Sequence, residues 1–524
     1  MKKKSLSMAL VLGSLVGLAF GGCLPFPGFC DYGTCDGTGP DAGAESSAPD
    51  VAIPDATTDR DPPPPGCDTP TEPVKNPAKC LVDGFGVFVS PQGDDGNVGT
   101  REKPVKTLGK ALSIGRPRVV ACEGSYAETL EIKADVEIYS GVSCDFTKTG
   151  GKAKIVPEGS TGVTVSTGAV GLFDIEVVAK AGASAGGSSI GILAKAGTKV
   201  TIRRSSIAAG PGGEGKDAEP TGNNHLVPLG GNPASGATGG ATKTCACPAY
   251  GASQGGRGGD GGDAVVATGK AGLAGASNPV ATTVDGATGG GGGGAQSPVM
   301  SCVTGLPGSP GSARQGGKAA SGAGTVSGTG WVPAVGGAGE AGNPGQGGGG
   351  GGGSFYTAGT SAGGGGGGCG GCGGAGASGG GSGGASIGIL AQDAQIDVSA
   401  TTISTAKGGA GKPGGTGQAG GGGGTVGACS GGGGGAGAGG GGGAGGHGGP
   451  SYGIAYTGDA PVVEGKSIAD AATQAGIQIS EGGALGGGGE GGAAVVGAFP
   501  AAIAGSRGAD GLVGPAKAVT KVEK

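Results

Sequence analysis

The chain has 524 residues, 140 of them glycine, with aromatic residues at 3% and charged residues at 14%. Glycine runs near ~7% in an ordinary globular domain and brings no side chain to a core, so most of this length is not conventional globular protein. The net charge of −5, with no basic cluster beyond Lys2-Lys3-Lys4 and Arg203-Arg204, argues against a nucleic-acid partner; the lack of a strict Gly-X-Y period excludes collagen.

In chain order, Lys2-Lys3-Lys4 and the apolar run 6–20 read as a signal peptide over 1–22, too short to span a bilayer. Residues 23–79 are rich in Pro, Asp, Thr and Ser, including Pro62-Pro63-Pro64-Pro65, and predict a disordered, partly polyproline stalk. Order is expected from Cys80. Val87-Phe88-Val89 and Arg118-Val119-Val120-Ala121-Cys122 read as strands, and the apolar spacing across 104–112 predicts a short helix between them. Residues 80–160 are expected to form a cap and first coils.

From 161 to 524 a scaffold recurs. Ser189-Ile190-Gly191-Ile192-Leu193-Ala194 returns as Ser386-Ile387-Gly388-Ile389-Leu390-Ala391, and more weakly as Ser451-Tyr452-Gly453-Ile454-Ala455-Tyr456. Apolar pairs five apart recur beside these phrases: Leu172/Val177, Ile202/Ile207, Val398/Ile403 and Val463/Ile468. Short strands that each expose an apolar face can bury it by stacking coil on coil, about 4.8 Å apart. A β-sandwich is the alternative. Glycine-rich insertions at about 210–384, 408–450 and 482–492 fall at one turn of successive coils, so they are expected to emerge side by side. Such tracts are either flexible linkers or a polyglycine-II bundle, whose backbones approach closely and bond to one another. Trp331, Phe355-Tyr356 and the cysteines point towards order.

Several passages resemble known families. Gly21-Gly22-Cys23 behind the apolar run resembles the lipobox of bacterial lipoproteins, although Phe20 departs from the usual aliphatic residue. The resemblance implies cleavage before Cys23 and a lipid on its sulfur; an ordinary secretory signal with an incidental cysteine is the alternative. Leu24, rather than Asp, points to the outer membrane or cell surface. The stretch 90–112, with Ser90-Pro91, Gly93, Asp95, Asn97, Gly99-Thr100, Pro104 and Thr107-Leu108, followed by Gly124-Ser125-Tyr126-Ala127-Glu128, resembles the start of pectate-lyase-like proteins. That likeness implies an all-β fold, a right-handed parallel β-helix with a short N-terminal capping helix. In composition the insertions resemble the glycine-rich PGRS domains of mycobacterial proteins.

Of the 13 cysteines, Cys23 set aside leaves 12, an even number suited to an oxidising compartment. Neighbour spacing predicts Cys30–Cys35, Cys67–Cys80 and Cys122–Cys144. Cys245, Cys247, Cys302, Cys369, Cys372 and Cys429 are disulfide candidates of open connectivity. Cys369-Gly370-Gly371-Cys372 has metal-ligand spacing, but zinc would want a second such pair or nearby histidines, so disulfide staples are expected.

Catalytic constellations are sparse. The coils offer Asp174, Glu176, Arg203, Arg204, Asp393 and Asp397, and aligned coils put no acid above another acid. Gly446-His447-Gly448 imitates a polygalacturonase phrase without its acidic partners. Asp94, Asp95 and Asn97, and the run 255–263, are the places where calcium could bind; turn and loop roles are the competing reading. The chain is therefore expected to be a non-enzymatic, lipid-anchored surface protein that needs no cofactor. Its expected partners are the membrane, through the lipid, and polysaccharides or other surface proteins. The alternative is a polysaccharide-degrading β-helix, and a largely disordered exported spacer is a third reading.

Overall fold

The computed structural model describes residues 62–225, 228–279, 303–424, 430–495 and 501–524. The expected signal peptide and Cys23, Cys30, Cys35, Cys302 and Cys429 lie outside the described residues. The fold is all-β, and its main sheets are parallel. The first sheet takes Val87–Val89, Arg118–Cys122, Val136–Val142, Ala169–Phe173, Lys199–Arg203, Gln395–Ser399 and Val462–Val463. The second takes Gly124–Tyr126, Ala153–Ile155, Ile175–Val178, Ser206–Ala208, Thr402–Ser404 and Ile477–Gln478. The third takes Leu130–Ile132, Thr161–Val165, Ser189–Ala194, Ser386–Gln392, Ser451–Thr457 and Ala516–Lys521. From Arg118 onward the chain visits first, second and third sheet in turn, then begins again.

Register stacks like on like. Val119, Ile138, Leu172, Ile202, Val398 and Val463 form one inner column of the first sheet. Tyr126, Ile155, Val177, Ile207, Ile403 and Ile477 form the column of the second. In the third, Val163, Ile192, Ile389, Ile454 and Val519 align. Together they make one buried core. The repeated phrase is apolar throughout because its strand is covered on both faces: Ile192 and Ala194 join that core, while Ile190 and Leu193 join a second cluster outside the sheet. Its glycine is required by close approach, since a Cβ on Gly191 would lie 2.5 Å from Gly388 O and from an Ile207 methyl. Ile389→Ala is expected to destabilise the wound sheets by about 2–5 kcal/mol, because the neighbouring coils cannot collapse into the gap; urea denaturation followed by far-UV circular dichroism checks this.

The corner from first to second sheet turns on a left-handed residue in each of three coils: Asp174, Arg204 and Ala400, at φ 58°, 50° and 47°. Buried hydroxyls beside it link coil to coil. Ile175 N–H donates to Ser205 Oγ at 3.1 Å, and Ser205 N–H to Thr401 Oγ1 at 3.2 Å. The next coil departs from the expected Val463/Ile468 pair, because Glu464 and Gly465 are both left-handed, at φ 50° and 74°. Two such residues in series make a hairpin turn, so Lys466–Ser467 folds back antiparallel on Val462–Val463 and Ile477 takes the place in the second sheet.

The stalk boundary also needs correction. Residues 62–79, expected to be disordered, carry a 3-10 turn at Pro73–Lys75, the start of a short helix at Pro77–Cys80 and the Cys67–Cys80 disulfide. The segment is held because Val74 packs on the apolar cluster of Phe85, Tyr139 and Phe173 outside the first sheet, and Glu72 meets Arg204 at 3.3 Å. The helix Leu108–Ile114 packs Leu108 and Ala111 into the core at the first coils. Its N-terminus explains the phrase around it. Asp95 accepts from Lys106 N–H and Thr107 N–H, both at 2.9 Å, and Glu128 accepts from Leu108 N–H and Gly109 N–H at 2.8 and 2.9 Å. At the other end Ala471 pairs antiparallel with Val519 and covers the last strand of the third sheet.

Candidate functional site

Every long excursion leaves the second sheet and returns to the third: after Val178, Ala208, Ser404 and Gln478, returning at Ser189, Ser386, Ser451 and Ala516. Because both sheets are parallel, their registers continue into the glycine tracts. Beyond the second sheet, Ala209, Gly212 and Gly215 donate to Ser404, Lys407 and Ala410. Before the third, Gly380, Gly383 and Ser386 donate to Ala444, His447 and Pro450. The ladder thus uses one bond every three residues, the repeat of an extended threefold backbone, rather than the alternation of a β-strand.

The remaining phases bond in other directions. Tract 336–354 runs antiparallel to 362–380, with Gly336, Gly339, Gly342, Gly345, Gly348 and Gly351 donating to Gly380, Ala377, Gly374, Gly371, Gly368 and Gly365. Tract 430–450 donates through Gly435 to Gln346, Gly437 to Gly421 and Gly439 to Ile503, and accepts from Gly371, Gly308 and Gly486. It is therefore bonded to six surrounding tracts. Such approach crowds the contact phase, where Ala377, Ala444 and His447 stand as exceptions among glycines, and the sequence obeys this locally. Glycine stands at 408, 411, 414, 417, 420 and 423, and again at 505, 508, 511 and 514. That three-residue phase within each tract is the signal that a search for one continuous Gly-X-Y period passes over.

Side chains occupy the free phases. Cys369, Cys372, Ala375 and Ser378 are three apart on one edge of their tract. Cys369 bonds Cys245 and Cys372 bonds Cys247, with Cα–Cα distances of 6.2 and 5.6 Å. The Cys-x-x-Cys is thus neither a metal clamp nor an internal disulfide. It meets a Cys-x-Cys at the end of the strand Lys243–Ala246, where same-side residues recur every two positions instead of three. Cys67–Cys80 and Cys122–Cys144 are the other two disulfides among the described residues. The hairpin of Gly324–Ser327 and Gly330–Pro333 lays Trp331 over Ile190, Leu193 and Leu390, its ring 6.2 Å from that of Tyr452 and edge-on to it. One inserted excursion therefore supplies the outer cover of the third sheet.

The candidate chemical groups serve as structural ties. Arg203 meets Asp397 at 2.7 Å, Arg204 meets Asp174 at 2.8 Å, and Lys154 meets Glu176 at 3.0 Å, each pair joining adjacent coils. Asp393 pairs with Lys524. His447 is buried, its Nδ1 accepting from Leu512 N–H at 2.7 Å and its Nε2 facing Ala320 O at 2.9 Å. His225 Nε2 faces Ala419 O at 2.8 Å. Of the calcium candidates, Asp94 accepts from Gly96 N–H at 2.8 Å, Asn97 donates to Pro104 O at 3.0 Å, and Asp95 holds the helix start. In the run 255–263, Asp260 bonds Arg257 at 2.7 Å, and Asp263 accepts from Val265 and Val266 N–H at 2.8 and 2.7 Å. Among the described residues no cluster of three or more His, Cys, Asp and Glu is placed to hold a metal, and no helix is long and apolar enough to cross a membrane.

The Arg257 hydrogen bond, with Gly239 N–H, holds the Asp260 carboxyl down at about 2, against an ordinary 3.8. A depressed carboxyl stabilises the fold above its unfolded value and loses that contribution as pH falls through its folded value. The link from 239 to 260 is accordingly expected to loosen between 3.8 and about 2, and Asp260→Asn to remove that acid transition from the Gly239 amide signal in an NMR titration.

Compared with known proteins, the chain matches no family model and no curated sequence.

Proposed function

We propose that this chain is a non-enzymatic cell-surface lipoprotein, structural or adhesive in role, whose wound sheets form a right-handed parallel β-helix displaying a polyglycine-II layer. The observation that carries the reading is the continuation of two sheet registers into tracts bonded to neighbours every third residue. A solenoid that templates so regular an outgrowth builds a stiff, extended surface. The ion-paired carboxylates Asp174, Glu176 and Asp397 weigh against a degrading enzyme, which needs two carboxyls set across the scissile bond.

In this reading the signal 1–22 is removed, Cys23 carries lipid, and 24–61 is the spacer, because 62–79 belongs to the folded body. The protein sits at the outer membrane or cell surface, needs no cofactor, and meets polysaccharide or other surface proteins. Metabolic labelling with a tagged fatty acid tests the anchor. Label that depends on Cys23, on a chain that protease reaches in intact cells, is the expected result. An unlabelled chain sheltered inside the cell would sink the proposal.

A further inference from the structure

The glycine layer ends in a cluster of turns. Tract 362–385, extended at about 3.1 Å per residue, carries its far end about 70 Å from the third sheet. Three turns meet there. Gly363 N–H donates to Gly236 O at 2.8 Å, in the Ser235/Thr238 turn, and Gly261 N–H donates to Ala237 O at 2.7 Å. Gly262 N–H donates to Ser354 O at 3.0 Å, and Tyr356 N–H to Ala267 O at 2.7 Å. Ser361 Oγ adds a bond to Gly262 O at 2.6 Å. The turns are therefore cross-linked backbone to backbone and fixed before any ligand arrives, which lowers the ordering cost of binding.

The turns set exposed aliphatic groups, which occur elsewhere in the layer too, beside aromatics and hydroxyls. Val265 is 92% exposed and Val266 58%. Phe355 and Tyr356, adjacent aromatics in a chain only 3% aromatic, are half-buried beside them. Thr357, Thr360, Ser235 and Thr238 are exposed. One carboxylate oxygen of Asp263, Oδ1, accepts from the N–H groups of its own turn, and the nearby Lys270 faces Asp260 at 3.4 Å. Rings and aliphatic groups interleaved with hydroxyls, and no cation within the turns, suit a neutral saccharide, whose C–H faces lie on apolar groups while its hydroxyls exchange hydrogen bonds. An anionic membrane or a nucleic acid would call for basic residues there.

We propose that the tip formed by 235–238, 263–266 and 354–361 is a binding site for a neutral saccharide. It rests on the adhesive reading above and names its ligand class. The full chain, purified in detergent, is applied to an array of neutral and acidic polysaccharides, and the best-bound neutral one is then titrated by calorimetry. Saturable binding is expected. Tyr356→Ala and Val265→Asp should each raise Kd about tenfold or more, and both should keep the amide protection of the layer. Leu485→Asp, 42% exposed in the wild type on the last coil's tract, should leave Kd unchanged. Binding that survives both tip variants overturns the tip assignment and leaves the adhesive reading standing. Binding to acidic polysaccharide alone, to vesicles alone, or to a surface protein with no saccharide bound overturns the ligand class. A wild-type chain that binds nothing in any arm overturns the adhesive reading as well.

Discussion

Gly371→Val is expected to disrupt the glycine layer while the wound sheets stay folded. Gly371 donates to Gly435 O and accepts from Gly345 N–H, each at 2.8 Å. A Cβ there would strike Gly421 O and lie 2.5 Å from Gly421 C, so the obstacle is backbone and has no rotamer by which to yield. Overpacking costs about 1–3 kcal/mol, and each buried backbone group left without a partner costs about as much again. The expected loss is about 3 kcal/mol or more, felt in three tracts at once. Gly422, the residue after Gly421 in the tract that Gly371 contacts, meets nothing within 4 Å. Gly422→Ala should be close to neutral. Hydrogen exchange resolved by segment measures both: lost protection across 336–380, 405–424 and 430–450 for the first, with the strand Ser386–Gln392 still protected, and no change for the second. Equal tolerance of the two would mean that the tracts do not pack as described.

The second large effect concerns the paired staples. Cys245–Cys369 and Cys247–Cys372 span 124 and 125 residues. Closing a loop of that length restricts the unfolded chain by an amount worth about 5 kcal/mol on the chain-entropy account. Either staple alone closes nearly the same loop, so the two are far from additive. Cys247→Ser together with Cys372→Ser is expected to cost little, because Cys245–Cys369 still ties the segments. Removal of all four sulfurs by serine is expected to cost about 5 kcal/mol and to free the antiparallel sheet of Lys243–Ala246, Ala252–Gly255 and Ala276–Asn278 from tract 362–385. Denaturant melts of the three forms decide it. Equal steps for the first and second pairs would refute the shared-loop argument.

How far the sequence could be read follows from where the governing signal lies. Leu172/Val177, Ile202/Ile207 and Val398/Ile403 were legible because one side chain in each sheet faces the core and the corner between them is short. The all-β class and the common exit of the insertions follow from the same spacing. Ile477 was not legible in place of Ile468, because two consecutive left-handed residues, Glu464 and Gly465, reverse the chain and no apolar pattern records this. Residues 62–79 look like stalk by composition, yet one disulfide and the contact of Val74 with the aromatic cluster hold them. The cross-pairing of Cys-x-Cys with Cys-x-x-Cys was hidden by distance along the chain. Only once one partner is known to be a strand and the other threefold do the unequal spacings become complementary.

The threefold ladder also constrains how such a chain can change length. Residues 336–354 and 362–380 keep one pairing register along their whole run, so deleting a single residue from either arm rotates everything beyond it by a third of a turn. Glycines leave the contact phase and bulkier residues enter it, against several neighbours together. Adding or removing three residues in both arms keeps the phase and lengthens or shortens the hairpin by about 9 Å. At the level of the gene, a nine-nucleotide unit in matched copies is the step that keeps the phase. The length of the layer can therefore change only in whole units, while its cross-section stays fixed by the coils from which it grows.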